Sequence, residues 1–311
     1  MRIGLISAAT YRYGKEPRRP GSHHGTAFAS TFNGFDESEV RKYDWTFVRS
    51  RKRIKGARVV KVWDQERVWA RRLAAACNIP TVCRTPEACA AGVDLAILVD
   101  DGSGEHSRYA IHPLRTGIPT FCDKPLAMSA RGAKAVADVA RETGTPFMSA
   151  SSLRFVPDIL RLRAQLPELG PVYLAQAVCA NELIYYGIHA LSMIYAVLGG
   201  GAVSAVNVGQ PGLNVVRIRF ADHRDVVLMV GERQWMRSGY QISLFGKKGW
   251  RTVKPDLSDL YWHLLNAVLE YVRTGEESVP IEEEVEVIAA LEAGKRSLGR
   301  QEEVTLESLF S

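Results

Sequence analysis

Through the first half of the chain, short apolar runs alternate with amphipathic stretches of about ten residues, a pattern that predicts a layered α/β fold. A strand is expected over residues 2–7, then a Gly/Pro/Arg-rich stretch over 8–21 and a helix over 23–33, with Ser22 as its cap and Gly34 as its terminator. A polar, basic insertion over 35–56 delivers the chain to a strand over 57–64, followed by a helix over 66–77, a short strand over 81–83 and a helix over 86–91. The run Val93-Asp94-Leu95-Ala96-Ile97-Leu98-Val99 reads as a strand buried on both faces, and 118–122 as the next, after a short helix. Strands spaced by such helices pair in parallel through right-handed crossovers. The first half is therefore expected to be a doubly wound parallel sheet.

The pattern changes in the second half. Stretches near 172–178, 202–208, 214–220, 225–230 and 240–246 include several with alternating polar and apolar residues, which suits an open, mainly antiparallel sheet with one wet face. Residues 257–273 and 281–297 carry apolar side chains at helical spacing and read as core-packing helices. An α/β domain over 1–125 and an α+β domain over 126–311 are predicted, with the final helix free to return to the first. A length of 311 residues, 46% of them hydrophobic, is enough for two cores.

Composition narrows the function classes. No run approaches the ~18 apolar residues of a membrane span, and a strand begins at once after Met1, which predicts a cytoplasmic protein without a membrane partner. The five cysteines are odd in number, and Cys77, Cys83 and Cys89 recur without a zinc spacing, so all are expected to be reduced, structural thiols and no metal is expected. The net charge of +6 is concentrated partly in two basic loops, 15–20 and 49–55. Neither is interleaved with stacking aromatics, which argues against nucleic acid and leaves solvated loops able to steer an anionic small molecule.

Candidate chemistry lies at the predicted carboxyl ends of the strands, where ligands of open α/β sheets bind. Lys124 stands between Asp123 and Pro125 at the end of the 118–122 run, and the proline biases it toward extended geometry. Asp64 closes the second strand, where an acid can accept from a ribose hydroxyl pair or cap the next helix. It favours NAD over NADP, although Arg67 could meet a 2′-phosphate. The first turn, Ser7-Ala8-Ala9-Thr10, lacks the Gly-x-Gly-x-x-Gly that lets backbone amides approach a pyrophosphate.

Together these segments resemble the family of glucose-fructose oxidoreductase, inositol dehydrogenase and MocA. Residues 93–99 with His106 are similar to its fourth strand and following histidine, and Asp123-Lys124-Pro125 to its Glu-Lys-Pro motif. Ser151-Ser152-Leu153-Arg154-Phe155 resembles its entry to the second domain, and Tyr185-Tyr186-Gly187-Ile188-His189 its Asp-x-Gly-x-His. The resemblance implies a Rossmann-like first domain and a homo-oligomer, dimer or tetramer, built on the open sheet. It also implies an NAD(P)-dependent oxidoreductase acting on a secondary alcohol of a sugar, cyclitol or related polar molecule. Lys124, His189 and Tyr185 would be catalytic, and Arg154, Tyr186, Lys124 and His189 would bind the substrate, with Arg154 tilting it toward an acid. Ser7, Ala8, Ala9, Thr10, Asp64, Asp100, Asp101, Gly102, Ser103, His106, Asp123 and Lys124 would line the cofactor. Tyr185 replaces the family's aspartate and cannot supply its charge. With the missing glycine loop, that keeps two other readings open: a redox-neutral lyase or hydrolase on the same fold, and a non-catalytic nucleotide or ligand sensor.

Overall fold

A computed structural model describes residues 1–13, 16–42, 45–102 and 104–311. It divides into two compact units, one of Met1–Leu126, Ala135–Ser149 and Tyr261–Val279, the other of Ala127–Lys134, Ala150–Leu260 and Pro280–Ser311.

The strands of the first unit are β1 (Arg2–Ile6), the hairpin arms β2 (Thr10–Tyr11) and β3 (Arg19–Pro20), β4 (Arg58–Trp63), β5 (Thr81–Val82), β6 (Leu95–Leu98), β7 (Thr120–Cys122) and β8 (Phe147–Ser149). Among the described residues, β5-β4-β1-β6-β7-β8 form one sheet, every pair parallel. Strands β1 and β6 run through its centre and are almost wholly buried, which explains their unbroken apolar sequences. The chain winds outward from β1 to β5 and then crosses back to β6, so the topological switch lies between β1 and β6. Residues following β1, β4, β6 and β7 therefore gather at one sheet edge.

Helices α1 (His23–Asn33), α2 (Glu37–Val40), α3 (Arg67–Ala76), α4 (Pro86–Ala90), α5 (His106–Arg115) and, later in the chain, α6 (Ala130–Thr143) and α10 (Leu260–Thr274) accompany this sheet, the last two with residues in both units. Helix α1 begins and ends where its sequence dictates: the Ser22 hydroxyl accepts from the Gly25 amide, and Gly34 takes φ 73° while its N–H returns to Ser30 O. Gly25 permits the helix to lie against the first turn. A Cβ there would sit 1.8 Å from Ala8 O, so no other residue fits without moving backbone.

In the second unit, α7 (Pro157–Ala164), α8 (Leu166–Leu169), α9 (Gly187–Leu198) and α11 (Ile281–Ser297) accompany β9 (Val172–Ala180), β10 (Ala202–Asn207), β11 (Leu213–Phe220), β12 (Asp225–Gly231), β13 (Gln241–Gly246), β14 (Gly249–Val253) and β15 (Val304–Thr305). The sheet order is β14-β13-β9-β12-β11-β10-β15, antiparallel except for the parallel pair β9 and β12. Buried and accessible positions alternate along β11, as a sheet covered on one face requires. Gly294 lets α11 approach that covered face, where an added Cβ would meet Val216 Cγ1 at 2.8 Å.

Candidate active site

At the switch-point edge the chain turns its own acids inward. Asp64 Oδ2 accepts from the amides of Ala9 (2.8 Å) and Thr10 (3.0 Å), while Oδ1 accepts from Thr10 Oγ1 (2.8 Å) and the Glu66 amide (3.0 Å). Four donors use the carboxylate's acceptor capacity. Its oxygens thus hold up the first turn and the start of the next helical segment, the capping role that the sequence left open beside a ribose contact. Burial raises its pKa against those hydrogen bonds. Ser7 sits in the left-handed region at φ 53°, and its Oγ lies 3.0 Å from Gln65 Oε1 and 3.1 Å from Asp100 Oδ1. Ala8 and Ala9 are buried, with the Ala9 and Thr10 amides both committed to Asp64.

The loop after β6 is sequestered in the same way. Asp100 is fully buried, accepts from Arg18 Nη2 at 2.8 Å and from the Glu105 amide at 2.8 Å, and so forms a buried ion pair. Arg18 comes from the basic loop expected to be solvated. Gly102, at φ 79°, lies close to Arg12, where a Cβ would meet the carbonyl oxygen at 2.4 Å. Ser103 lies outside the described residues. His106 is buried and donates from Nε2 to Val99 O at 2.8 Å, tying α5 to the end of β6.

Asp101 closes the N-terminus of α1. One of its oxygens, Oδ2, accepts from Ser22 Oγ (3.0 Å) and the His23 amide (2.9 Å), with the His24 amide at 3.4 Å. Burial opposes ionisation of this carboxyl, but the fields of His24 and Lys124 and the hydrogen bonds from Ser22 and His24 outweigh it and hold the pKa below the ordinary carboxylate value. A helix N-terminus is a site for anions. Here the anion is a side chain of the same protein.

Asp123 is buried and accepts from His24, Nδ1 to Oδ2 2.5 Å. That pairing takes the neighbouring acid away from Lys124, which is half-buried and forms no ion pair among the described residues. Tyr261 stands over this corner, its hydroxyl 3.0 Å from His23 Nδ1 and its ring 5.2 Å from that of His24. Burial, followed by the field of His24, lowers the pKa of His23. Sequence reasoning passed over both histidines, although a His-His pair in the first turn of the helix after the first strand was a readable signal.

In the second unit His189 sits on the first turn of α9, buried, with Nδ1 2.7 Å from Ser151 Oγ. The rings against it include Tyr186 (6.3 Å) and Tyr240 (5.5 Å). Tyr185 precedes α9, and its amide donates to Glu182 Oε2 at 2.7 Å. Tyr186 and Tyr240 also line a cavity of 590 Å³ with Cys179, Asn181, Arg233 and Arg237. Arg154, expected to meet substrate, is instead buried in an ion-pair cluster with Glu283 and with Glu284, whose Oε1 lies 3.5 Å from Nη1. Burial dominates Glu284 and pushes it up to about 7 despite Arg154. All five cysteines are free and buried, and no group of metal-ligating side chains occurs among the described residues.

The first unit thus defines a class, a doubly wound sheet of the dinucleotide-binding type with its ligand edge at the switch point. Residues 40–151 match the family model described as "Oxidoreductase family, NAD-binding Rossmann fold". That match spans about a third of the chain and lies within its first half. Over 59 residues it is 36% identical to an inositol 2-dehydrogenase of Klebsiella pneumoniae, a match covering 19% of this chain and 18% of that enzyme's length. Its fold is similar over nearly the full length to two solved structures. One is a myo-inositol dehydrogenase of Lactobacillus casei in complex with NAD(H) and myo-inositol (TM-score 0.77, 15% identity, 98% of this chain and 96% of that one). The other is a myo-inositol dehydrogenase of Corynebacterium glutamicum (TM-score 0.76, 16% identity, 98% of each chain).

Whether the residues suit a dinucleotide is tested by the donor set at α1. Three donors converge on the Asp101 carboxylate, which stands in for an anionic group. The same donors suit a phosphate oxygen once Asp101 is withdrawn, so the site fits the nucleotide in competition with the chain's own acid.

Proposed function

We propose that the protein is a nicotinamide-dependent oxidoreductase that converts a secondary alcohol of a polyhydroxylated small molecule to a ketone. The observation that carries this reading is Lys124, a half-buried cation at the carboxyl edge of the family-matched sheet that has no ion pair among the described residues, Asp123 being engaged by His24. Bound NAD would supply the two-electron acceptor. NAD rather than NADP rests on the family description, since Asp64 is committed elsewhere.

The chain's residues have three tasks. Removing hydride from a carbinol carbon builds a carbonyl, so the hydroxyl proton needs an acceptor. An imidazole titrates nearest neutral pH. His189 fills that role when Nδ1–H donates to Ser151 and Nε2 receives the proton. Lys124 stabilises negative charge developing on the oxygen. Tyr185 and Tyr186 bring phenols to the segment where the family carries its aspartate, and either can hydrogen-bond the substrate. The polyol class is supported by the inositol dehydrogenases among the relatives. We further propose a homo-oligomer. Leu174, Phe245 and Trp250 are register neighbours on β9, β13 and β14 and form an exposed apolar row of the kind subunit contacts cover.

Calorimetry with NAD, NADH, NADP and NADPH, together with assay of the purified protein for retained nucleotide, tests the reading. Micromolar binding of NAD and NADH and oxidation of members of a polyol panel are expected; no binding and no retained nucleotide would sink it. The commitment of Asp101 to α1 keeps two competing readings in play, a redox-neutral enzyme and a sensor. Retained nucleotide with no net absorbance change on turnover would select the redox-neutral enzyme. Ligand binding without turnover, unaffected by Lys124→Ala and His189→Ala, would select the sensor.

A further inference from the structure

The cavity beside His189 carries polar groups that the proposed reaction leaves unused. Asn181, Tyr186, Arg233, Arg237 and Tyr240 all line it, and none has a side-chain hydrogen bond or ion pair among the described residues. The acids next to them along the chain take neutral donors: Glu182 accepts from the Tyr185 amide and Glu232 from the Gln234 side chain. The lining itself contains no carboxylate. Two guanidiniums facing one cavity repel each other, and an oxyanion relieves that repulsion while accepting their forked N–H groups. Asn181 is held in the left-handed region at φ 99°, its amide N–H fixed to Gly231 O at 2.6 Å, a strained conformation of the kind that gathers at ligand sites. Burial pushes the Tyr240 phenol up, so it remains an O–H donor at working pH.

We infer that this cavity selects an anionic polyol, a sugar acid or sugar phosphate, with Arg233 and Arg237 receiving its oxyanion while Asn181, Tyr186 and Tyr240 meet its hydroxyls. The volume of 590 Å³ suits a six-carbon ligand. Tyr186 and Tyr240 contact both this cavity and the His189 ring, which brings the ligand close to the proposed proton acceptor. The inference rests on the oxidoreductase reading for its reaction, but not for its binding event. It also replaces the source of the acidic preference, from the internally paired Arg154 to a pair of arginines open to a ligand.

The test is calorimetric binding of D-glucuronate, D-gluconate and glucose 6-phosphate, with D-glucose and myo-inositol as neutral controls, to the full chain without nucleotide. At least one anionic probe is expected to bind at least tenfold more tightly than either neutral one, and the carboxylate and phosphate arms identify the oxyanion. Arg233→Gln and Arg237→Gln, both at exposed positions, should each weaken the anionic probe about tenfold or more with Tm and neutral-probe binding unchanged. Equal affinity for anionic and neutral probes, or equal loss for both in the arginine variants, would overturn the inference. Preferred binding of an anion without nucleotide binding or turnover would uphold the cavity's specificity and defeat the oxidoreductase reading instead.

Discussion

At the residue scale, the edge of the first sheet depends on which partner each carboxylate takes. Asp123 adjoins Lys124 in sequence but is paired with His24, which leaves the lysine without an ion pair among the described residues. Lys124→Met should lower kcat by about two to three orders of magnitude, the loss associated with removing a donor that stabilises an oxyanion, while Tm stays unchanged. His24→Gln should release Asp123 toward Lys124 and cost about tenfold or more in kcat, with the new ion pair visible as a displaced lysine amine resonance in NMR of the labelled protein. Asp101 works in the opposite sense. Because its carboxylate competes for the α1 amides, Asp101→Asn should tighten dinucleotide binding in calorimetry; weaker binding would mean that Asp101 helps to build the site.

At the scale of elements, the Arg154 cluster anchors the turn before α7 to the first turn of α11. Glu284 keeps its proton in the folded state up to about pH 7, but the unfolded chain releases it near 4.5. Between those values the folded state binds more protons, so this group's contribution to stability falls as pH rises through the window. Each tenfold difference in proton affinity between the two states is worth about 1.4 kcal/mol, so the change across the window amounts to about 3 kcal/mol. Glu284→Gln should therefore gain stability relative to the parent between pH 5 and pH 8 in denaturant melts. A pH-independent difference would show that Glu284 is ionised throughout. Element positions themselves were largely legible. The helix from His23 to Asn33 with its two caps, the helix from Ile281 to Ser297 and the central apolar strands follow from local capping and periodicity. The hairpin β2–β3 and the edge strands β14 and β15 were not foreseen, because β2, β3 and β15 are only two residues each, β14 is mostly exposed and lacks an apolar alternation, and β15 pairs with a strand about a hundred residues away.

For the whole molecule, oligomerisation can be tested through the apolar row on the second sheet. Trp250→Glu should convert the assembly to a smaller species in light scattering, and an unchanged mass would exclude this row as the contact. The sequence by itself determined the order of elements, the parallel character of the first sheet and the placement of Lys124 at its carboxyl edge, because periodicity, capping residues and proline act over a few neighbours. Only the tertiary structure decided that Asp64, Asp100, Asp101, His106 and Arg154 serve the chain itself, and that Arg233, Arg237, Asn181 and Tyr240 share one cavity. A hydrogen bond or an ion pair depends on which group arrives opposite, and that partner comes from another strand or loop whose position local sequence does not encode.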